Sequence, residues 1–361
     1  MSVDVSPNLC PNLKARVSLD LGKAGLFYWT QLGGTQTSKS HTSCTDAACY
    51  ANDTHAAVCH IRSGCSCPLL GPQILDVMRI LKEGLFALIA IDNEGDQAKV
   101  VVRPYKPGVS FTLISHALGD CLANRAENTL PTCQLKNIRH ILCNIHKPEF
   151  QSEERNWFWL DTLCIPLSHL GTSITRHSLT KSMKSIAKAA HKTLVLDSDI
   201  SLLRSSSKPE EMFLRIAYSS WNSRLWTLQE AVFANKLILH LSDQDIELES
   251  LKEMCRDSLL NTDTKYPWDV KFPFLILRQY LDSFHANLVR SVSHDIFLRE
   301  AIEGRTTTEK ADKRLVIANL LDIEETELDT CVELVKLLTA QETHIGCHIS
   351  VLEDPAASNV S

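Results

Sequence analysis

The chain has 361 residues, 44% of them hydrophobic and 22% charged, values that exclude a disordered or fibrous polymer and suit about two or three packed units. Its formal net charge of −6 argues against a general polyanion-binding surface, so no nucleic-acid partner is expected. No stretch approaches the roughly 18 uninterrupted apolar residues of a membrane span, and the opening residues carry neither a basic nor an apolar leader region. A reducing, cytoplasmic location is therefore expected, in which the 13 cysteines serve as small hydrophobes or ligands rather than as a disulfide framework.

In chain order, residues 1–40 hold Pro7, Pro11 and the pair Gly33-Gly34 around one aromatic patch, and read as an arm packed on the body. Residues 41–108 begin with a Cys/His cluster. A helical stripe follows in Ile74, Leu75, Met78, Ile80 and Leu81, with Gly84 as its stop. Residues 85–91 and 99–105 then form two strands around the turn Asn93-Glu94-Gly95-Asp96, a predicted hairpin.

From residue 109 to 242 strands alternate with helices. Strands are expected at 111–115, 157–161, 193–197 and 237–241, and helices at 132–146, from Leu179 to Ala190, after Pro209, and at 223–235. Strands separated by helices imply crossover connections and a parallel sheet, hence an α/β domain. Residues 243–345 have mainly helical periodicity, and 346–361 read as a tail.

In an open parallel sheet, ligands bind outside the carboxyl ends of the strands. That rule gathers Ser115, His116, Asp161, Cys164 and Asp197 on one edge. A strand-end aspartate also suits the N-cap of the next helix, and a single buried cysteine also suits plain packing. Nearby, Arg224, Thr227 and Glu230 recur at helical spacing, and Trp226 lies one turn before Glu230, where an indole shields a carboxylate from water and raises its pKa. Cys164 with His116 and Asp161 also has the composition of a nucleophile, base and orienting acid.

The N-terminal cluster offers Cys44 and Cys49, then His60, Cys65 and Cys67, with His41 and Cys59 as spares. Soft and borderline ligands from one short segment suit a closed, structural zinc site. The expectation is one ion held by Cys44, Cys49, His60 and one or both of Cys65 and Cys67. The alternative is a cysteine-rich loop without metal.

Three segments then stand together in order: Ile114-Ser115-His116-Ala117-Leu118, Trp157 through Ile165 with the core Trp159-Leu160-Asp161-Thr162-Leu163-Cys164, and Arg224-Leu225-Trp226-Thr227-Leu228-Gln229-Glu230. They resemble the three blocks of the fungal HET (heterokaryon incompatibility) domain. Asn124, Asn128, Leu130-Pro131, Cys133-Gln134-Leu135, the Gly64-Cys65-Ser66-Cys67 segment and Gly304-Arg305-Thr306-Thr307-Thr308 extend the resemblance over roughly residues 41–320.

The resemblance implies a TIR-like, flavodoxin-like parallel sheet with helices on both faces, flanked by the Cys/His-rich part and a helical C-terminal part. It also implies a role in non-self recognition and programmed cell death, with a nucleotide or other small-molecule ligand and self-association as the expected partners. Trp226 to Glu230 resembles the helix of TIR-type NAD hydrolases that carries the catalytic glutamate. On that analogy Glu230 stabilises the oxocarbenium-like transition state of N-glycosidic cleavage, Arg224 pairs with the diphosphate, Trp226 packs on a base or supports the helix, and Ser115 and Asp161 line the pocket. No Gly-rich phosphate loop is present, so NAD would enter as substrate rather than in a Rossmann-type site.

The chain departs from the family at Leu118, where an aromatic residue is usual, and at Pro166-Leu167, where a polar pair is usual. Those departures keep two further readings open. One is a repurposed enzyme of secondary metabolism working through Cys164, His116 and Asp161. The other is a catalytically inactive signalling module.

Overall fold

The structure is a computed structural model that describes residues 9–31, 40–47, 49, 51, 58–94, 97–117, 121–124, 126–146, 155–167, 176–260, 302, 305–307, 310–323, 326 and 328. Leu118, Gly304, Thr308 and the tail at 346–361 lie outside the described residues.

The chain is mixed α/β. Strands β2 (Ala87–Glu94), β3 (Gln97–Pro104), β4 (Thr112–His116), β6 (Phe158–Trp159), β7 (Lys192–Leu196), β8 (Leu237–His240) and β9 (Asp245–Glu247) form one seven-stranded sheet in the order β3-β2-β6-β4-β7-β8-β9. The four central strands are parallel, while β3, β2 and β9 run antiparallel to their neighbours. A further antiparallel pair joins β1 (Leu69–Leu70) to β5 (Leu130–Pro131).

The predicted hairpin forms, and β2 pairs with β6, so the sheet continues across the expected boundary at residue 108. The expected strand at 157–161 is shorter than its apolar run, because Asp161 already opens the short helix α4 (Asp161–Cys164).

Counted in chain order among themselves, the parallel strands β4, β6, β7 and β8 lie in the order 2-1-3-4. The winding therefore reverses between β4 and β7, and a crevice at the carboxyl ends of those two strands is where such sheets bind ligands. Register aligns Ser115 with Val195, and Val195 with Leu239, on one face. Ile114, Leu194 and Ile238 align on the other. All residues of β4 and β7 are buried, so both faces of the sheet centre are covered, as continuous apolar runs require.

Of the helices, α3 (Thr132–His146) has the predicted bounds. Helix α2 (Ile74–Lys82) ends in a Schellman motif: Gly84 has φ 76° and donates to Leu81, and Leu85 donates to Ile80. That conformation is why glycine was a reliable stop. Helices α5 (Arg176–Ala189), α6 (Pro209–Ala217) and α7 (Leu225–Val232) follow β6 and β7, and α7 packs over β4. Helix α8 (Leu248–Leu260) lies against β8 and β9, and α9 (Lys310–Leu321) against α5 and α7.

The N-terminal arm is a helix, α1 (Pro11–Gln31), interrupted at Gly22, where φ is 66°. Val17, Leu21, Leu26 and Trp29 bury against Leu214 of α6, and Trp29 meets Tyr218 edge-on at 5.4 Å. Among the described residues no helix is long and apolar enough to cross a membrane.

Candidate active site and metal-binding quartets

The end of β4 places two consecutive side chains on opposite faces of the sheet. Ser115, fully buried, turns toward α7, and its hydroxyl donates to a carboxyl oxygen of Glu230. The same hydroxyl accepts the indole N–H of Trp221 at 2.7 Å. A directed chain thus runs Trp221, Ser115, Glu230. His116 turns the other way: Nε2 lies 2.8 Å from Asp161 Oδ1, and Nδ1 lies 3.1 Å from the carbonyl of Ala117. Both ring nitrogens face acceptors, which is the pattern of an imidazolium.

Asp161 begins α4 and also accepts from its neighbour Thr162 N–H at 2.6 Å. Its side chain is 39% exposed, against 3% for His116, so Asp161 is the group of this set that meets solvent.

Electrostatics divides the two acids. Burial pushes Glu230 from 4.5 up to about 8. The Ser115 bond opposes that rise, the charge of Asp161 adds to it, and the charges of His116 and Arg224 oppose it. At neutral pH Glu230 is thus mainly a neutral acid. Burial works against a charge on His116, but the charge and hydrogen bond of Asp161, with help from Glu230 and the Ala117 carbonyl, raise its pKa nonetheless.

A carboxyl whose folded pKa lies above its unfolded value binds more protons when folded. Its stabilising contribution is then complete below about 4.5 and is lost as pH rises through about 8. Glu230→Gln mimics the neutral acid. The variant should match the native protein in urea unfolding near pH about 5 and be the more stable of the two near pH about 9. Parallel pH–stability curves would assign Glu230 an ordinary carboxylate.

Asp197, at the end of β7, is 2% exposed and accepts four hydrogen bonds. The N–H groups of Asp199 and Ile200 bind one oxygen, and the Ser220 hydroxyl and Trp221 N–H bind the other. It is the staple that fixes Trp221 under Ser115. Trp221 was missed by sequence reasoning, although Ser220-Trp221 directly precedes the block that begins at Arg224.

Arg224 occupies the N-cap position of α7 and is buried, and its charge reaches Glu230. The downstream Arg305-Thr306 segment docks there. Arg305 donates to the carbonyl of Arg224 and to Asn222, while Thr306 exchanges backbone bonds with Ser223 and Leu225. The indole N–H of Trp226 donates to Asp312 of α9 at 2.8 Å, so Trp226 braces α7 against that helix.

Cys164 is 1% exposed within the core, and burial pushes its thiol up to about 12. With His116 engaged by Asp161 and Ala117, the structure provides no base hydrogen-bonded to that sulfur among the described residues.

The expected single zinc set divides in two, and this corrects the ligand assignment. Cys44 and Cys49 converge with Cys10 and His41, whereas His60, Cys65 and Cys67 converge with Cys133. Within each quartet all four ligand atoms lie within 4.8 Å of one another. Each set could hold a metal ion such as zinc. His41, taken as a spare, belongs to the first quartet, and Cys59 belongs to neither. Cys10 and Cys133 lie outside the short segment that composition had marked, so only the fold reveals them.

Comparison of the chain with protein-family models, with curated proteins and with solved structures returns no match.

Proposed function

We propose that this chain is a HET-domain protein of TIR-like, flavodoxin-like architecture that cleaves the N-glycosidic bond of NAD or a related nucleotide. On this reading it acts inside the cell in non-self recognition and programmed cell death, with self-association as part of that role. The observation that carries the reading is the hydrogen bond from Ser115 to Glu230, residues of two separate sequence blocks meeting at the end of β4, one of the two strands between which the sheet reverses its winding. The 2-1-3-4 strand order supports the flavodoxin-like assignment.

In the reaction, the bond between C1′ of the ribose and the pyridinium nitrogen breaks. Its electron pair leaves with nicotinamide, and water captures the ribosyl cation and releases a proton. An ionised Glu230 stabilises that cation, and the buried Ser115–Trp221 pair holds its carboxyl in place. Arg224 is the candidate for the diphosphate, where a planar guanidinium matches the phosphate oxygens. Asp161, at the solvent-facing end of the site, favours the charged form of His116. The Cys/His-rich part serves as a zinc-held structural support.

The test is incubation of the purified full chain with NAD and chromatography for nicotinamide and ADP-ribose. Stoichiometric release of both is expected. No release above a boiled control would leave the chain a binding or signalling module. The covalent alternative through Cys164 gains no support from a buried, fully protonated thiol.

A further inference from the structure

We infer that the chain binds two zinc ions, one in each Cys/His quartet, and that the second ion fixes the segment carrying Asp161. The inference rests on the reading of this part as zinc-held, and is independent of the chemistry of the pocket.

The geometry fits zinc before any ion is placed. Bonds of about 2.3 Å to sulfur and about 2.0 Å to nitrogen, in a tetrahedron, separate two sulfurs by about 3.8 Å and a sulfur from a nitrogen by about 3.5 Å. In the first quartet Cys44 and Cys49 sulfurs lie 3.8 Å apart, and His41 Nδ1 lies 3.5 Å and 3.6 Å from them. In the second, His60 Nδ1 lies 3.3 Å from the Cys67 sulfur and 3.6 Å from that of Cys133. Disulfides demand sulfurs at about 2.05 Å and have no place for a histidine. Backbone N–H groups also point at the sulfurs of the second quartet: Cys133 N donates to Cys67 and Ile61 N to Cys133, the support that thiolate ligands receive. Three sulfurs and one imidazole close the shell, so both ions are structural.

The two ions tie different elements. Cys10 stands at the start of α1, so the first ion clamps that helix to His41, Cys44 and Cys49, and Asn12 also donates to the carbonyl of Asp46. Cys133 is in the first turn of α3, so the second ion clamps residues 60–67 onto α3. From there the path is continuous. Thr132 donates twice to the Pro68 carbonyl, β1 pairs with β5, and Gly71 sits so close to the Asn128 carbonyl that a Cβ would fall 2.1 Å from it. Asn128 in turn donates to the carbonyls of Thr162 and Ile165, at either end of α4. Asp161 begins that helix.

Full-length protein, purified without chelator, should carry about two zinc atoms per chain by elemental analysis. After EDTA dialysis, Cys10→Ser and Cys133→Ser should each retain one. Hydrogen exchange should quicken at residues 160–167 in Cys133→Ser and remain native there in Cys10→Ser. One ion per chain would overturn the two-site inference while leaving the zinc reading standing; no bound metal would overturn the zinc reading as well. Unaltered exchange at 160–167 in Cys133→Ser would overturn the coupling to Asp161. Should either variant fail to fold, cobalt titration of the metal-stripped native chain decides the count, since its thiolate-to-cobalt absorption should saturate at two equivalents and saturation at one overturns the proposal.

Discussion

Glu230→Gln should lower the rate of NAD cleavage by about 10²–10³-fold, the usual cost of deleting one preorganised electrostatic group. Glutamine preserves the shape of the side chain and still accepts the Ser115 hydroxyl, and it favours helix as glutamate does, so α7 and the fold should persist. What disappears is the ability to become an anion beside the ribosyl cation. Because burial pushes Glu230 up to about 8, kcat/KM of the native protein should rise with pH through that value, and the variant's profile should be flat there. The positive pyridinium ring favours the ionised form on binding, so kcat should rise at a lower pH than kcat/KM. The contrast between native and variant enzyme is then largest on the alkaline side. Retained turnover in Glu230→Gln together with its abolition in Cys164→Ser would move the reaction to covalent chemistry at Cys164. Turnover surviving both changes would place the catalytic group elsewhere.

The second large effect is expected at Asp197, which touches no substrate. Asp197→Ala strands the N–H groups of Asp199, Ile200 and Trp221 and the hydroxyl of Ser220 in a buried setting. Each stranded donor costs about 1–3 kcal/mol, less whatever water recovers. A loss of about 3–5 kcal/mol in urea unfolding is expected, in the range seen when one partner of a buried charged network is removed. Asn at this position keeps one acceptor oxygen and should fall between the two. Catalysis should decline as well, because Trp221 loses the bond that holds its backbone beneath Ser115. A loss under about 1 kcal/mol would mean that water reaches these donors and that Asp197 is not a staple.

The periodicity of side chains was enough to place β4, β7 and β8 within a residue, α3 at its bounds, the stop of α2 at Gly84, and the hairpin. Each of these follows from interactions within a few residues: burial on one or both faces, or a turn that needs positive φ. The carboxyl-edge rule named Ser115, His116, Asp161, Cys164 and Asp197 as strand-end residues, because alternation of strand and helix fixes which strand ends share an edge. The structure joins His116 to Asp161 and brings Ser115 to Glu230, a residue that only helical spacing and the resemblance had singled out.

Composition also marked the Cys/His segment as ligand-rich, but only the tertiary structure separated its residues into two quartets, since Cys10 and Cys133 arrive from α1 and α3. Likewise spacing set Trp226 one turn before Glu230, but only the fold shows its bond to Asp312 and brings Trp221 to Ser115, 106 positions away in the chain. Local pattern reports whether a side chain is buried and on which face. Its partner across the chain depends on strand order, register and helix docking, which no short window of residues contains.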